Sequence, residues 1–190
     1  IQIVIVPIPY KGFEDKIGDY AREVHERLKS AGFRTYLDES DRTPGEKYYY
    51  WEMFGVPVRV EIGPRDLEKR HITICERVNL QRISVPLDDA VKAIEDIFVK
   101  IAEELRERSL STLKKMTVNA EDLDSLKEAI KSRKIARVCW CGSTECAERI
   151  AEESGGEIRG YRIDVEEKPE RPCIACGKRA ERVVYVARAY

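Results

Sequence analysis

Residues 55–66 read GVPVRVEIGPRD. Val56, Val58, Val60 and Ile62 alternate with Pro57, Arg59 and Glu61. A period of two is the signature of a strand with one apolar and one polar face. The reading is a half-buried strand that carries Arg59 and Glu61 on its polar face. What surrounds this strand decides what kind of sheet it belongs to.

On its N-terminal side, IQIVIVPIP (1–9) reads as a buried strand ended by Pro7 and Pro9. Its apolar run of about six residues is too short to span a bilayer or form a signal-peptide core. A chain opening with Ile1 inside a core strand is expected to be a piece of something longer. Ile17, Ala21, Val24 and Leu28 then fall at helical spacing, with Gly32 as the stop. RTYLDES (34–40) alternates like a strand, and TPGEKYYYWEMFG (43–55) gives a turn signal followed by a helix-compatible aromatic run.

On the C-terminal side, HITICERV (71–78) and QRISVPL (81–87) read as two more strands. Val91, Ile94, Ile97, Phe98, Ile101 and Leu105 mark a long amphipathic helix. Strands alternating with helices predict an α/β domain over residues 1–110, a mixed sheet flanked by helices. The charged stretch 111–134 reads as a helical connector. Residues 135–190 then predict a small α+β domain with strands in ARVCWCG, EIRGYRIDVE and RVVYVARAY and a helix in STECAERIAEESGG.

That second domain holds five of the six cysteines. Cys141 and Cys146 are separated by four residues, Cys173 and Cys176 by two. Each pair fits half of a tetrahedral zinc site, which favours thiolates. Gly142 and Gly177 directly follow a cysteine of each pair and let the backbone turn so that amides face sulfur. A unit this small buries little core, so a metal staple makes physical sense. A disulfide framework is disfavoured in a reducing compartment. A redox CxxC belongs to a βαβ pattern, which is missing here, while free thiols or another metal stay open. Cys139 shares a strand face with Cys141 and competes with it as ligand; Cys141 is preferred because a turn glycine follows. Four thiolates leave no open position, so the predicted role is structural. Cys75 reads as a core thiol.

Net charge is −1 although 36% of residues are charged. A strongly basic chain would announce nucleic-acid binding, and this one does not. Any polyanion must be met by a local patch, with carboxylates also reading the ligand. The only amide side chains are Gln2, Asn79, Gln81 and Asn119, a composition common in heat-adapted proteins. His25 and His71 suggest no catalytic constellation and read as structural.

PIPYKG, PGEKYYYWEMFGVPVRVEIGPRD, CGSTEC, CIAC and the terminal ARAY, taken in order, resemble the C-terminal part of the archaeal and eukaryotic-type prolyl-tRNA synthetases. The resemblance implies an anticodon-binding α/β domain followed by a zinc-binding domain in which Cys141, Cys146, Cys173 and Cys176 match the ligand pattern. It implies that Tyr48, Glu52, Arg59, Arg65 and Asp66 contact the two adjacent guanines of the proline anticodon. The residue types agree: a carboxylate accepts guanine N–H groups, a guanidinium serves O6 and N7, and an aromatic stacks an unpaired base. At the position where the family has a further basic contact stand Gln81 and Arg82. Tyr190 matches a terminal tyrosine that folds toward the catalytic domain in the family. The parent enzyme so implied is a cytoplasmic homodimer that ligates proline to its tRNA with ATP and Mg²⁺. Both ATP and Mg²⁺ belong to a catalytic domain absent here, because none of the class II catalytic motifs is present. The competing expectation is a non-catalytic, zinc-stabilised protein-interaction module.

Overall fold

The computed structural model describes residues 1–189; the expectation attached to Tyr190 lies outside them. The chain divides into two compact units, Ile1–Glu107 and the residues from Arg108 onward.

The first unit is a five-stranded mixed sheet in the order β2-β1-β3-β4-β5. Its strands are β1 (Ile3–Pro7), β2 (Thr35–Leu37), β3 (Val58–Ile62), β4 (His71–Glu76) and β5 (Arg82–Pro86). β1 runs parallel to both β2 and β3, and β4 and β5 continue antiparallel. On one face, Ile3, Ile5, Val58, Val60, Ile62, Ile72 and Ile74 pack under α1 (Glu14–Ser30) and the first turns of α4 (Ala90–Met116). Ile17, Ala21, Val24 and Leu28 of α1, and Ala90, Ile94 and Ile101 of α4, supply the helical side of that core. On the other face, Val4 and Val6 meet Trp51 and Val56 in a smaller cluster. Trp51 belongs to α2 (Pro44–Met53).

One difference from the sequence reading matters for function. All five residues of β3 are buried, Arg59 and Glu61 included. Alternation survives, since Val58, Val60 and Ile62 join the apolar core. The second face is sealed because α2 covers it and the charges on it pair with one another. A short helix not anticipated from sequence, α3 (Pro64–Lys69), starts directly after β3.

The second unit is a four-stranded sheet in the order β6-β7-β9-β8. It consists of β6 (Thr117–Asn119), β7 (Ile135–Trp140), β8 (Glu157–Gly160) and β9 (Arg182–Ala187), with α5 (Leu123–Lys131) and α6 (Thr144–Ser154). β6 is parallel to β7, and β9 is antiparallel to both β7 and β8. The stretch 111–134, expected as a helical connector, therefore contributes to this unit. β6 extends its sheet, and Leu126, Ala129 and Ile130 of α5 sit in its core. The apolar positions of α5 are short in number and interrupted by charge, so periodicity alone read it as a linker.

Candidate nucleic-acid interface and metal centre

The first site forms where α2 lies across the charged face of the sheet. Thr43 caps α2: its hydroxyl accepts from the Glu46 amide at 3.4 Å, and the Glu46 carboxylate accepts from the Thr43 amide at 2.8 Å. Pro44 takes the first helical position, where no amide proton is needed. One helical row then anchors the helix to the sheet. Lys47 Nζ donates to the Asp38 carbonyl at 2.8 Å, and Trp51 Nε1 donates to Asp38 Oδ2 at 2.7 Å. Asp38 and Lys47 are both buried. Burial opposes charge on the Asp38 carboxyl, but bonds from Ser40 and Trp51 outweigh it and hold the group below the ordinary carboxylate range.

With Lys47 and Trp51 fixed, the adjacent row places Tyr48 and Glu52 over β3. Arg59 Nη1 donates to Glu52 Oε1 at 2.9 Å, and its Nε donates to Glu61 Oε1 at 3.0 Å. Its Nη2 points at Cys75 Sγ, 3.5 Å away. The Tyr48 ring covers the guanidinium with its centroid 3.9 Å from the central carbon. Arg59 is only 6% exposed. Burial works against its charge, and the two carboxylates more than restore it, so the guanidinium is held more firmly protonated than usual. Burial, then the Glu61 charge, push the Tyr48 phenol up to about 12. Cys75 lies on this charged face rather than in an apolar cluster; burial raises its thiol pKa, and neighbouring Arg59 partly offsets that.

Tyr48, Glu52 and Arg59 are thus brought into direct contact. Asp66 and Arg65 lie apart from that contact. Asp66 Oδ2 accepts from the Gly63 amide at 2.9 Å and its Oδ1 from the Thr73 hydroxyl at 2.8 Å. Thr73 pairs with Glu61 across β3 and β4, so Asp66 borders the same sheet face. Arg65 is exposed, and no ion pair ties its guanidinium among the described residues. Tyr49 and Tyr50, the neighbours of Tyr48, point elsewhere: Tyr49 is exposed and Tyr50 packs on Trp51 and Phe54.

Sequence reasoning missed the residues that hold this site together. Glu61 was read as a strand-face charge, yet it bridges Arg59 to Arg82, whose Nε donates to its carboxylate at 3.2 and 3.3 Å. Asp38 and Lys47 carried no periodic signal, each standing beside another charge (Glu39 and Glu46) as a solvated residue would. Of the two residues left open after β4, Gln81 is turned away, its Oε1 accepting from Lys100 Nζ at 2.9 Å. Arg82 stands on the charged face. The turn between them and β4 is gathered by Glu76, whose carboxylate accepts from the amides of Val78, Asn79 and Gln81.

The second site is in the second unit. The Sγ atoms of Cys141, Cys146, Cys173 and Cys176 all lie within 4.8 Å of one another. A tetrahedron of ~2.3 Å zinc–sulfur bonds puts its corners about 3.8 Å apart. The 3.9 Å between the sulfurs of Cys141 and Cys176 matches that spacing. Four cysteines at this distance could hold a metal ion. Cys139 is not among them: it lies within β7, its carbonyl accepting from the Ile174 amide, whereas Cys141 follows the strand's end. Gly142 (φ +88°) and Gly177 (φ +72°) both occupy the left-handed region that turns each loop back on its sulfur. Ser143 caps α6 by accepting from the Cys146 amide at 3.3 Å. The backbone amide of Ser143, then its hydroxyl, lower the Cys141 thiol to about 6. Thiolate at that sulfur is what a metal needs.

The family described as "Anticodon binding domain" matches residues 2–97, and the family described as "Prolyl-tRNA synthetase, C-terminal" matches residues 123–190. The chain belongs to the anticodon-binding family, and within it to the C-terminal part of prolyl-tRNA synthetases. It is 38% identical over 191 residues to the proline–tRNA ligase of Nanoarchaeum equitans, with 100% of this chain and 35% of the relative covered. With the proline–tRNA ligase of Pyrobaculum aerophilum it shares 41% identity over 169 residues, covering 87% of this chain and 34% of the relative. The crystal structure of prolyl-tRNA synthetase from Cryptosporidium parvum, complexed with halofuginone and AMPPNP, superposes with a TM-score of 0.89 at 27% identity. That match covers 100% of this chain and 40% of the other. The chain spans well under half the length of the relatives it matches.

Proposed function

We propose that the first unit reads the anticodon of proline tRNA and that the second is held by one structural zinc ion. The whole protein would then ligate proline to its tRNA using ATP and Mg²⁺, as a cytoplasmic homodimer, with catalysis confined to a domain outside this chain. The proposed recognition surface is Tyr48, Glu52, Arg59, Arg65 and Asp66. Within it, Glu52 and Arg65 offer charged ends to solvent, while Arg59 and Asp66 are engaged with protein partners.

The observation that carries the reading is the placement of Glu52. Its side chain is 32% exposed, is fixed by Arg59, and lies beside an aromatic ring on the charged face of the sheet. A fixed carboxylate accepts the N–H groups of a splayed-out guanine and repels adenine N1, an acceptor. Reading by carboxylate also explains how an RNA-binding chain carries a net charge of −1.

For the metal, the donor set fits zinc: four sulfurs within 4.8 Å of one another, one of them biased to thiolate. Bound there, zinc supplies cross-linking and no open coordination position. No helix among the described residues is long and apolar enough to cross a membrane. Binding of the chain to a proline tRNA transcript, compared with one whose anticodon guanines are both replaced, tests the first proposal. Tighter binding to the unaltered transcript by tenfold or more is expected from about 1–3 kcal/mol per base contact. Equal, weak binding to both returns the protein-interaction alternative.

A further inference from the structure

Two helices and three strands meet at one margin of the second sheet. α4 runs straight into β6, and α5 enters β7 through Ser132, Arg133 and Lys134. β6 and β7 are parallel with Thr117 opposite Ile135, so both strands start there. β9 is antiparallel to β7, with Val186 opposite Ala136, so Ala187 and the following Arg188 finish at the same margin. The residues that flank these ends are cations: Lys114 and Lys115 of α4, Lys131 of α5, Arg133 and Lys134 of the turn, and Arg188. Lys134 is half-buried and the other five are exposed. The ion pairs of the second unit involve Lys127, Arg137, Arg159, Arg162 and Arg171, and none of these six among the described residues. Glu128 and Glu157, carboxylates on the flanking α5 and β8, are occupied by the Ser132 hydroxyl at 3.3 Å and by Arg159 at 3.1 Å. Backbone bonds from the Arg133 amide to Ile130 and from the Lys134 amide to Ala129, at 3.0 and 2.9 Å, fix the turn. Arg133 sits at φ +58°, where glycine is the usual occupant.

We propose that this margin is a phosphate-binding surface through which the second unit grips the tRNA backbone independently of sequence. The choice of RNA as occupant rests on the anticodon-binding reading above. Cations at a helix C-terminus complement its dipole, which accounts for Lys114, Lys115 and Lys131 but not for Lys134 or Arg188. Like charges gathered without partners repel one another. A polyanion relieves that repulsion and releases its own condensed counterions on binding. The two units divide their charge accordingly. Residues 1–107 hold 17 Lys and Arg against 21 Asp and Glu, and residues 108–190 hold 17 against 14. A first unit of net negative charge gains no general attraction to RNA, so the attraction has to come from the second. Lysine serves a phosphate as a point charge, and phosphate contacts carry no base preference.

Binding of the 190-residue chain to the proline tRNA transcript and to its guanine-replaced counterpart, over a range of salt concentrations, provides the test. Lys114→Gln with Lys115→Gln, and separately Lys131→Gln with Lys134→Gln, remove two cations each from different chain segments, so misfolding of one pair leaves the other readable. Each pair should weaken binding to both transcripts alike, by about tenfold at about 0.1 M salt, and should flatten the slope of log affinity against log salt by about one or more. The ratio between the two transcripts should stay as it is in the unmodified chain. Lys127→Gln with Arg171→Gln removes the same charge from positions already paired with Glu153 and Glu121, and should leave the slope nearly unchanged. A folded variant of either test pair with affinity and slope unaltered would overturn the proposal and leave the margin to an acidic protein surface. So would an equal loss in the Lys127 and Arg171 control, which would make net charge alone responsible. Should the unmodified chain bind both transcripts equally while the test pairs still lose affinity and slope, the anticodon reading falls and the phosphate surface stands.

Discussion

Arg59 and Glu61 project from the same face of one strand, two residues apart, with Nε and Oε1 separated by 3.0 Å and both side chains shielded from solvent. That pairing, extended by Glu52 on Arg59 and by Arg82 on Glu61, makes two ionised groups tolerable on that face. Removing Arg59 leaves buried Glu61 with only half-exposed Arg82 as partner, and breaking a buried pair costs about 3–5 kcal/mol. Arg59→Ala is accordingly expected to lower the unfolding free energy of the first unit by that order. The urea midpoint followed by tryptophan fluorescence reads it, since Trp51 packs against the same face. Combining Arg59→Met with Glu61→Leu should recover much of the loss, because apolar groups of similar volume leave no buried charge behind.

Asp38 sets the acid sensitivity of the same face. It is a better acid when folded than when unfolded, so the unfolded chain takes up its proton first as pH falls. The stabilisation is complete above about pH 5 and drains away as pH drops through the ordinary aspartate value of about 3.9 and below. Asp38→Asn should flatten that acid limb in a series of urea titrations. It should also loosen α2 by weakening the bond that anchors Trp51. An acid limb as steep as that of the unmodified chain would show that other carboxylates dominate it.

Metal content separates the cysteines. One zinc per chain is expected by elemental analysis, retained in Cys139→Ser and lost in Cys141→Ser. Strong chelation should unfold the second unit, whose core includes Cys146 and Cys173, and leave the first folded. Far-ultraviolet circular dichroism would then fall only in part, while Trp51 fluorescence, read in a Trp140→Phe background, holds. Loss of both signals together would show that the two units do not fold independently.

How far the sequence could be read follows from what each residue type signals. Ile17, Val24, Val58, Val60, Ile74 and Ile94 are apolar at regular spacing, and periodicity placed each in the core where the structure has it. The four thiol ligand candidates were legible because cysteine pairs followed by glycine have few other uses. Glu61, Asp38 and Lys47 were not, since a charge in sequence looks like a solvated side chain whatever it meets in the fold. Only the tertiary arrangement shows that α2 lands on that face and turns solvent positions into buried pairs. β6 and α3 escaped for a different reason: three and six residues are too few to display a period.

Arg65 and Asp66 are neighbours in sequence with opposite expected phenotypes. Arg65 is exposed, whereas both oxygens of the Asp66 carboxylate already accept bonds, from the Gly63 amide and the Thr73 hydroxyl. Arg65→Ala should leave thermal stability unchanged and weaken tRNA binding. If the guanidinium meets a phosphate, the slope of log affinity against log salt drops by about one, the same for unaltered and guanine-replaced transcripts. If it meets a base, the weakening is confined to the unaltered transcript. Asp66→Ala should instead cost about 1 kcal/mol of stability, the usual loss of a side-chain cap at a helix start. Any effect on RNA should then follow from slackening of α3 and the sheet edge. Asp66→Asn can keep the bond from the Gly63 amide through its carbonyl oxygen and so discriminates: preserved stability with lost guanine preference would assign the Asp66 charge a direct contact, and preservation of both would assign it the cap alone.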